Sequence, residues 1–182
     1  MRIMNNESIR KNHIFWIMGH TSSGKTTLAL HFLDKLRKEG SGAIHYDGDE
    51  VRDFLGPNHG FADGDRLRVV STLVHLANKA IDAGLNVVVS ALTANQDARN
   101  YIKHNVKNLV LIYLECSIEK CSERDPKGLY SKARRGEIET LIGINTKYLP
   151  PENPDIIIDT ERESIENTVV ELMKKLSGFG LL

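Results

Sequence analysis

Near the start of the chain, an apolar segment gives way to small polar residues around two glycines and a lysine. The eight residues GHTSSGKT, from Gly19 to Thr26, satisfy the pattern G-x-x-x-x-G-K-[ST] in full. Backbone N–H groups can turn inward around phosphate oxygens only where side chains are small or absent. The segment therefore predicts a binding site for a nucleoside triphosphate. We assign to this site Gly19, His20, Thr21, Ser22, Ser23, Gly24, Lys25, Thr26 and Thr27.

Two side chains of this loop have predicted roles of their own. The Lys25 ammonium is expected to reach the terminal phosphates, and the Thr26 hydroxyl is expected to ligate Mg²⁺. A glycine-rich turn that matches the pattern by chance is the alternative. A predicted strand before the loop and a predicted helix after it favour the phosphate site. ATP and Mg²⁺ are therefore the expected cofactors.

A second group of charged residues follows the next predicted strand. If the segment YDGDE is extended, Asp47 and Asp49 point to the same side, because side chains in a strand alternate. A carboxylate here could take a proton from an attacking hydroxyl or help to hold Mg²⁺, and Arg52 could bind an anionic substrate. An acidic turn that caps a short helix, with Arg52 in solvent, is equally consistent with these residues.

One aromatic residue and several cations accompany these acids. Phe61 stands in the polar segment GFADGDR with Arg66, and Asp65 in this segment could cap a helix. Phe61 is either a core residue or, with the arginines, a wall around a nucleotide-like acceptor. The long segment between the fourth and fifth predicted strands lacks clear periodicity, which predicts a basic lid and acceptor loop over residues 125–154 rather than a solvated helix face. The charged residues in and beside it are Arg124, Asp125, Lys127, Lys132, Arg134 and Arg135.

Apolar runs that fit buried strands alternate along the chain with segments of helical periodicity. Strands are predicted at 13–18, 42–46, 85–91, 108–116 and 154–160, and helices at 25–40, 65–84 and 163–176. Such alternation predicts an α/β fold of the P-loop type, with a five-stranded parallel sheet and helices on both faces. One domain is expected over residues 1–182, with residues 1–12 as a flexible lead-in.

The composition narrows the range of partners and locations. Lys and Arg number 24, as do Asp and Glu, so the formal net charge of zero gives no general attraction to nucleic acid or anionic lipid. No apolar run reaches the roughly 20 residues of a membrane span, and the N-terminal segment lacks the apolar core of a secretory signal. Cys116 and Cys121 are expected to be buried free thiols, which favours a cytoplasmic protein. The Asn-Lys-x-Asp element of GTPases is absent, and the length suits a small kinase.

The motifs and their order resemble the adenylylsulfate kinase family. The resemblance runs from about Ile14 to Thr160 and rests on GHTSSGKTT, DGDEVR, GFADGDR, RDPKGLYSKARRGEI and PPENPDIIIDT. It implies transfer of the γ-phosphoryl group of ATP to the 3′-hydroxyl of adenylyl sulfate, a small-molecule nucleotide acceptor. It also implies that the protein is a homodimer.

The resemblance implies a role for individual residues. Lys25 and Asp49 would be the catalytic residues, with Asp49 as the general base, and Thr26 and Asp49 would lie at Mg²⁺. Arg124 would lie against the adenine of ATP. The positions that would bind the acceptor are Asp47, Arg52, Phe61, Arg66, Val89, Ser90, Lys127, Gly128, Leu129 and Leu141.

The sequence departs from the usual family pattern mainly on the acceptor side. After Asp65 and Arg66 the family usually continues Glu-Asn-Ile-Arg-Arg, whereas this chain continues Leu-Arg-Val-Val-Ser. Leu141 stands where the family has the aromatic of Phe-Thr-Gly-Ile-Asp, and Ser90 is followed by Ala-Leu-Thr instead of Pro, an aromatic and Arg. In the phosphate loop, His20 replaces a small apolar residue.

These departures leave two further functions open. A site that loses a stacking aromatic and polar groups changes its specificity more than its phosphoryl transfer. One alternative is therefore a 3′-hydroxyl kinase for another activated nucleotide, such as the cytidine diphosphate derivative cytidine diphosphoramidate. The other is a non-catalytic ATP-binding regulator, against which the retained Lys25, Thr26, Asp49 and Lys127 argue.

Overall fold

The computed structural model describes residues 11–56 and 60–182. The predicted lead-in therefore lies, except for residues 11 and 12, outside the described residues. The strands are β1 (Ile14–Gly19), β2 (Ala43–Asp47), β3 (Asn86–Ser90), β4 (Leu109–Glu115) and β5 (Ile156–Asp159). The helices are α1 (Lys25–Lys38), α2 (Gly48–Leu55), α3 (Asp63–Asp82), α4 (Gln96–Asn105), α5 (Ile118–Arg124), α6 (Leu129–Arg134) and α7 (Ile165–Gly178).

The five strands form one parallel sheet in the order β2-β3-β1-β4-β5. The predicted P-loop type of α/β fold is thus confirmed. The central strand β1 pairs with β3 on one side, where Trp16 is opposite Val89, and with β4 on the other, where Trp16 is opposite Leu111. In such sheets ligands bind beyond the carboxyl ends of the strands, where neighbouring connections lead to opposite faces.

The apolar run of β1 is explained by burial on both faces of the sheet. Ile14, Trp16 and Met18 belong to the core that the sheet forms with α3 and α4. Phe15 and Ile17 point to the other face and pack with residues of α1 and α7. Burial of each such side chain contributes about 1.5–3 kcal/mol relative to exposure, so β1 supports the phosphate loop from a rigid position.

Several elements differ from the prediction. Helix α3 begins at Asp63 and its N-cap residue is Ala62, so the expected cap at Asp65 is wrong. Helix α2 begins directly after β2, and the predicted lid contains the short helix α6. Cys116 and Cys121 are buried free thiols, as expected. None of the described helices combines the length and the apolar character that a bilayer span needs.

Helix α4 was not predicted because its sequence, QDARNYIKHN, is mostly polar. Its N-terminus is capped by the Asn95 side chain, which accepts hydrogen bonds from the two backbone amides of residues 97 and 98. Its inner face carries Arg99, which is almost fully buried. Arg99 donates from Nε to the Thr93 carbonyl at 2.8 Å, and from its two Nη atoms to the carbonyls of Leu149 and Pro150 at 2.5 and 3.2 Å. One guanidinium thus fixes both the end of β3 and the segment before β5.

Substitution of Arg99 by Met should destabilise the protein by about 2–4 kcal/mol, because the buried bond to the Thr93 carbonyl and the part-buried bonds to the carbonyls of Leu149 and Pro150 lose their charged donor. Lys103 is a matched control on the same helix, since its exposed ammonium donates to the Glu152 carbonyl of the same segment. Lys103→Met should change the stability by less than about 0.5 kcal/mol. Urea unfolding of both variants measures the difference, and equal losses would contradict the assigned role of Arg99.

Candidate active site

A cleft of about 1080 Å³ opens at the carboxyl ends of β1, β2 and β3. One wall is the phosphate loop, and another is the start of α2. A third wall is the segment 137–142, which lies within the predicted lid. Most residues of the predicted phosphate loop and most predicted acceptor residues therefore face the same space.

The phosphate loop has the backbone that an anion site needs. Gly24 is the N-cap of α1 with φ +92°, and it supplies no side chain to cap the first amides of the helix. These amides remain available to an anion at the positive end of the helix dipole. Gly19 passes so close to β4 that a Cβ atom there would lie 2.9 Å from the Leu114 carbonyl oxygen and 2.8 Å from the Ser23 hydroxyl. A side chain at position 19 would therefore displace the loop.

The Lys25 ammonium lies within this loop and donates to the His20 carbonyl at 2.7 Å. Desolvation lowers the pKa of Lys25 to about 8, although the carboxylates of Asp49 and Asp47 act in the opposite direction. The ammonium is thus poorly compensated inside the loop. A triphosphate would supply the missing negative charge.

Asp47, at the end of β2, is the buried centre of a hydrogen-bond network. Its Oδ2 accepts from the hydroxyls of Thr26 and Ser90, both at 2.7 Å, and its Oδ1 accepts from the Asp49 amide at 2.8 Å. The Ser90 hydroxyl also contacts Nε2 of His45 at 2.9 Å. Burial pushes the pKa of Asp47 upward, but the bonds from Ser90, Thr26 and the Asp49 amide outweigh it, so the pKa lies below its ordinary value. Asp47 is therefore an ionised acceptor that fixes the Thr26 hydroxyl.

Asp49 does not share the orientation of Asp47. The strand ends at Asp47 and α2 begins at Gly48, so the two side chains do not alternate as in an extended segment, and the expectation that they point to one side is wrong. The capped short helix of the alternative is present, because Asp47 caps α2, but Arg52 packs on Phe61 instead of lying in solvent. The exposed Asp49 carboxylate instead forms an ion pair with Lys127 of the predicted lid, with Nζ and Oδ2 2.6 Å apart. This exposed pair joins the predicted lid to the first turn of α2.

Phe61 lies between two arginines on the acceptor side of the cleft. The guanidinium carbon of Arg52 is 4.7 Å from the centre of the ring, and that of Arg66 is 5.6 Å from it. Arg66 also donates to the carbonyls of Phe61 and Thr140, and Arg52 donates to the carbonyl of Gly60. About half of the Phe61 residue is exposed, so it is not a core residue. The group forms an aromatic surface with two cations.

Arg124 lines the opposite end of the cleft. One of its Nη atoms donates to the Thr160 carbonyl, and the other lies 3.7 Å from Sγ of Cys116. The Thr160 hydroxyl in turn donates to the Ser23 carbonyl at 2.9 Å, which connects the end of β5 to the phosphate loop. Arg124 is therefore held beside the phosphate loop.

The remaining predicted acceptor residues are divided between the cleft and its surroundings. Leu129 and Leu141 line the cleft, as does Ser90. Gly128 is the N-cap of α6 with φ +65°, and Val89 lies within the sheet. Gly128 and Val89 are not among the described residues that line the cleft. Neither residue is therefore placed to contact a ligand in it.

Two functional contacts were missed by sequence reasoning. His45 supports Ser90 from the edge strand β2, and the Tyr130 hydroxyl of α6 donates to the Thr21 carbonyl in the phosphate loop at 2.9 Å. Burial raises the pKa of Tyr130, which keeps the hydroxyl protonated as a donor. Tyr130 stands in the segment DPKGLYSKARRGEI, but its contact joins residues 109 positions apart, and local sequence carries no signal for such a pairing.

The fold and the cleft define the class of this protein as a small P-loop kinase. A complete phosphate loop, a buried carboxylate that holds its threonine, and part of the predicted lid meet at the carboxyl ends of a parallel sheet. These are the recurring parts of enzymes that position a triphosphate for phosphoryl transfer.

Comparison with known proteins identifies the family. The family model described as Adenylylsulphate kinase matches residues 11–159. The adenylyl-sulfate kinase of Staphylococcus epidermidis is 36% identical over 91% of this chain and 84% of its own length. The probable adenylyl-sulfate kinase of Aeropyrum pernix is 38% identical over 88% of this chain and 90% of its own length. The chain belongs to the adenylylsulphate kinase family, as the motifs predicted, and it is an ATP-dependent kinase that phosphorylates a hydroxyl group.

A solved structure supports the same assignment. The structure of the Mycobacterium tuberculosis APS kinase CysC, in complex with AMPPNP and APS, superposes with a TM-score of 0.84 at 32% identity. The superposition covers 92% of this chain and 98% of the other. The likeness therefore extends over both the phosphate loop and the acceptor side.

Binding of Mg·ATP at pH 8 should be accompanied by uptake of about half a proton, because Lys25 has a pKa of about 8 that a bound triphosphate would raise. Isothermal titration in two buffers of different ionisation enthalpy measures the uptake. Lys25→Arg is the matched control, since a guanidinium keeps its charge at this pH. The variant should bind without this uptake, and an equal uptake in both proteins would contradict the assignment to Lys25.

Proposed function

We propose that this protein transfers the γ-phosphoryl group of ATP to the 3′-hydroxyl of adenylyl sulfate. The observation that carries the proposal is the position of Asp49. This carboxylate lines the same cleft as Lys25 and is close enough to raise the pKa of Lys25. The cleft also contains Phe61 with its two arginines. A carboxylate between a phosphate site and an acceptor site is what a general base requires.

In the proposed reaction, the 3′-oxygen of the acceptor attacks the γ-phosphorus. The new O–P bond forms as the bond from the γ-phosphorus to the bridging oxygen breaks, and ADP leaves with that electron pair. The proton of the hydroxyl passes to Asp49. Lys25 stabilises the negative charge on the transferred group and on the leaving phosphate.

Lys127 connects Asp49 to the lid. The pair is exposed on both sides, with side-chain exposures of 62% and 72%, so it contributes little to stability and exchanges partners readily. We infer that the ammonium turns to the acceptor when it binds and leaves the carboxylate free to accept the proton. Lys127 is thus an acceptor-binding residue that also masks the base in the structure described here.

Thr26 fits the proposed Mg²⁺ site. A hydroxyl and carboxylates are the hard oxygen ligands that Mg²⁺ takes, together with phosphate oxygens and water. The structure brings the Thr26 hydroxyl to Asp47 at 2.7 Å, and Asp49 lies two residues further on. Thr26 would hold the ion, with the carboxylates of Asp47 and Asp49 near it. The ion would neutralise charge on the β- and γ-phosphates.

Two residues on the acceptor side of the cleft differ from the family pattern in a way that a second class of acceptor would explain. Val70 lines the cleft where the family usually has an arginine, and the cleft-lining Leu141 replaces an aromatic residue. Such a surface gives less support to an anionic group and to a stacked purine. A 3′-hydroxyl kinase for another activated nucleotide is therefore the second candidate.

We propose, by analogy with the family, that the protein forms a homodimer and that it is located in the cytoplasm. Light scattering coupled to gel filtration distinguishes a dimer from a monomer.

A panel of nucleotide acceptors with labelled ATP should show adenylyl sulfate as the best substrate. The panel should also contain cytidine diphosphate derivatives and the four nucleoside diphosphates. Label on adenylyl sulfate supports the proposal. Label on another nucleotide with adenylyl sulfate inert would replace it with the second candidate, and ATP binding without label on any acceptor would indicate a regulator.

Asp49→Asn should lower kcat by about 10²- to 10⁴-fold, because the amide cannot take the proton from the attacking hydroxyl. Asp53→Asn is the control, since Asp53 lies one turn further along α2 and lines the same cleft. It should retain more than about half of the activity, because one turn along the helix places it away from the phosphate loop. Nearly unchanged kcat in Asp49→Asn would sink the role of Asp49 as base.

A further inference from the structure

His20, the second residue of the phosphate loop, is buried against the segment 141–148 rather than pointing to the cleft. The centre of its ring lies 4.2 Å from that of Tyr148. The ring also fills the space at Gly143, where an added Cβ would lie 3.2 Å from Nδ1 of His20. Gly143 also has φ +98°, which L side chains rarely adopt. Both the backbone conformation and the closeness of His20 therefore favour glycine at position 143. The imidazole is thus enclosed by the segment that follows Leu141.

Tyr148 is itself held from two sides. Its ring is stacked on that of Tyr113 in β4, with centres 6.4 Å apart, and the guanidinium carbon of Arg99 lies 5.3 Å from its centre. Within the residues that the structure describes, neither Nδ1 of His20 nor the Tyr148 hydroxyl has a hydrogen-bond partner. The two rings therefore contact each other by packing alone, and the shape of the imidazole sets their relative position.

The main chain of His20 is joined to the group that meets the triphosphate. Its carbonyl accepts from Nζ of Lys25 at 2.7 Å and from the Ser23 amide at 3.1 Å. The ammonium has three N–H donors, so one that also binds a phosphate is shared between the phosphate and this carbonyl. Nucleotide binding therefore changes a contact of His20 directly.

The far end of the same segment belongs to the acceptor wall. Leu141 lines the cleft, and the carbonyl of the preceding Thr140 accepts from Arg66 at 3.2 Å. Between Leu141 and Thr146 the chain forms a tight loop, in which the Gly143 amide donates to the Thr146 carbonyl at 2.7 Å. A shift at Gly143 is thus passed to Leu141 through a short, internally bonded loop.

We propose that His20 is a positioning residue that couples occupation of the phosphate loop to the acceptor wall through its contact with Gly143 and Tyr148. It touches neither the triphosphate nor the acceptor. Its effect on the acceptor rests on the proposed function, whereas its effect on the segment 141–148 does not. This coupling gives a role to the side chain of His20, which does not line the cleft.

Hydrogen–deuterium exchange with Mg·AMPPNP tests the coupling without any acceptor. In the wild type, the analogue should slow exchange in residues 141–148 by at least about threefold as well as in the phosphate loop. In His20→Ala the response of 141–148 should be lost, while that of residues 19–27 should persist. His20→Phe keeps a ring against Tyr148 and should respond as the wild type does. An unchanged response of 141–148 in His20→Ala would overturn the proposal, as would its absence in the wild type.

Steady-state kinetics test the consequence for the acceptor. In His20→Ala, KM for adenylyl sulfate at saturating ATP should rise about tenfold, whereas the Kd of AMPPNP without acceptor should change less than about twofold, and His20→Phe should restore most of the loss. His31→Ala is the matched control, because His31 is exposed on α1. An equal rise in the Kd of AMPPNP without acceptor would show general loosening of the loop and overturn the coupling. If the wild type does not phosphorylate adenylyl sulfate, the proposed function fails, and the exchange experiment still decides the role of His20.

Discussion

Main-chain amides can grip a triphosphate only where no side chain stands between them and the phosphates, and the rest of the structure follows from this constraint. A loop that is poor in side chains cannot hold its own shape. Here the fully buried strand β1 holds it from below, the Leu114 carbonyl confines Gly19, and Lys25 donates across the loop to the His20 carbonyl. Tyr130 and Thr160 bind the carbonyls of Thr21 and Ser23 from outside. The stiffness comes from the neighbours rather than from the loop.

Two aspartates only two positions apart have different chemistry because a strand ends between them. Asp47 is buried and accepts three hydrogen bonds, which keep it ionised and commit it to Thr26 and Ser90. Asp49 is exposed, and its carboxylate contacts only the ammonium of Lys127 among the described hydrogen bonds of that side chain. One carboxylate therefore serves as a fixed structural acceptor, and the other, to which the proposed function gives the role of base, is exposed. Environment rather than residue type divides the two roles.

Sequence patterns predicted the sheet, the phosphate loop and the family, because each depends on local residues: buried strands need continuous apolar runs, and phosphates need glycines. Patterns failed where contacts between distant residues decide. Helix α4 is polar and is held by the buried Arg99. The guanidinium of Arg99 donates to the carbonyls of Leu149 and Pro150, which are 50 and 51 positions away along the chain. The divergence of Asp47 and Asp49 depends on where β2 stops. The position of His20 depends on its contacts with Gly143 and Tyr148, so the sequence alone does not explain why a histidine stands at this position.

The contact of Tyr130 with Thr21 has a consequence for how substrates enter. It fastens the first half of the predicted lid to the phosphate loop, and the buried Leu141 and Tyr148 fasten the other half to the body of the molecule. Between these two fastenings lie residues 135–140, which are mostly exposed. If the predicted lid opens to admit a nucleotide, we therefore expect the backbone rotation to be concentrated in these six residues.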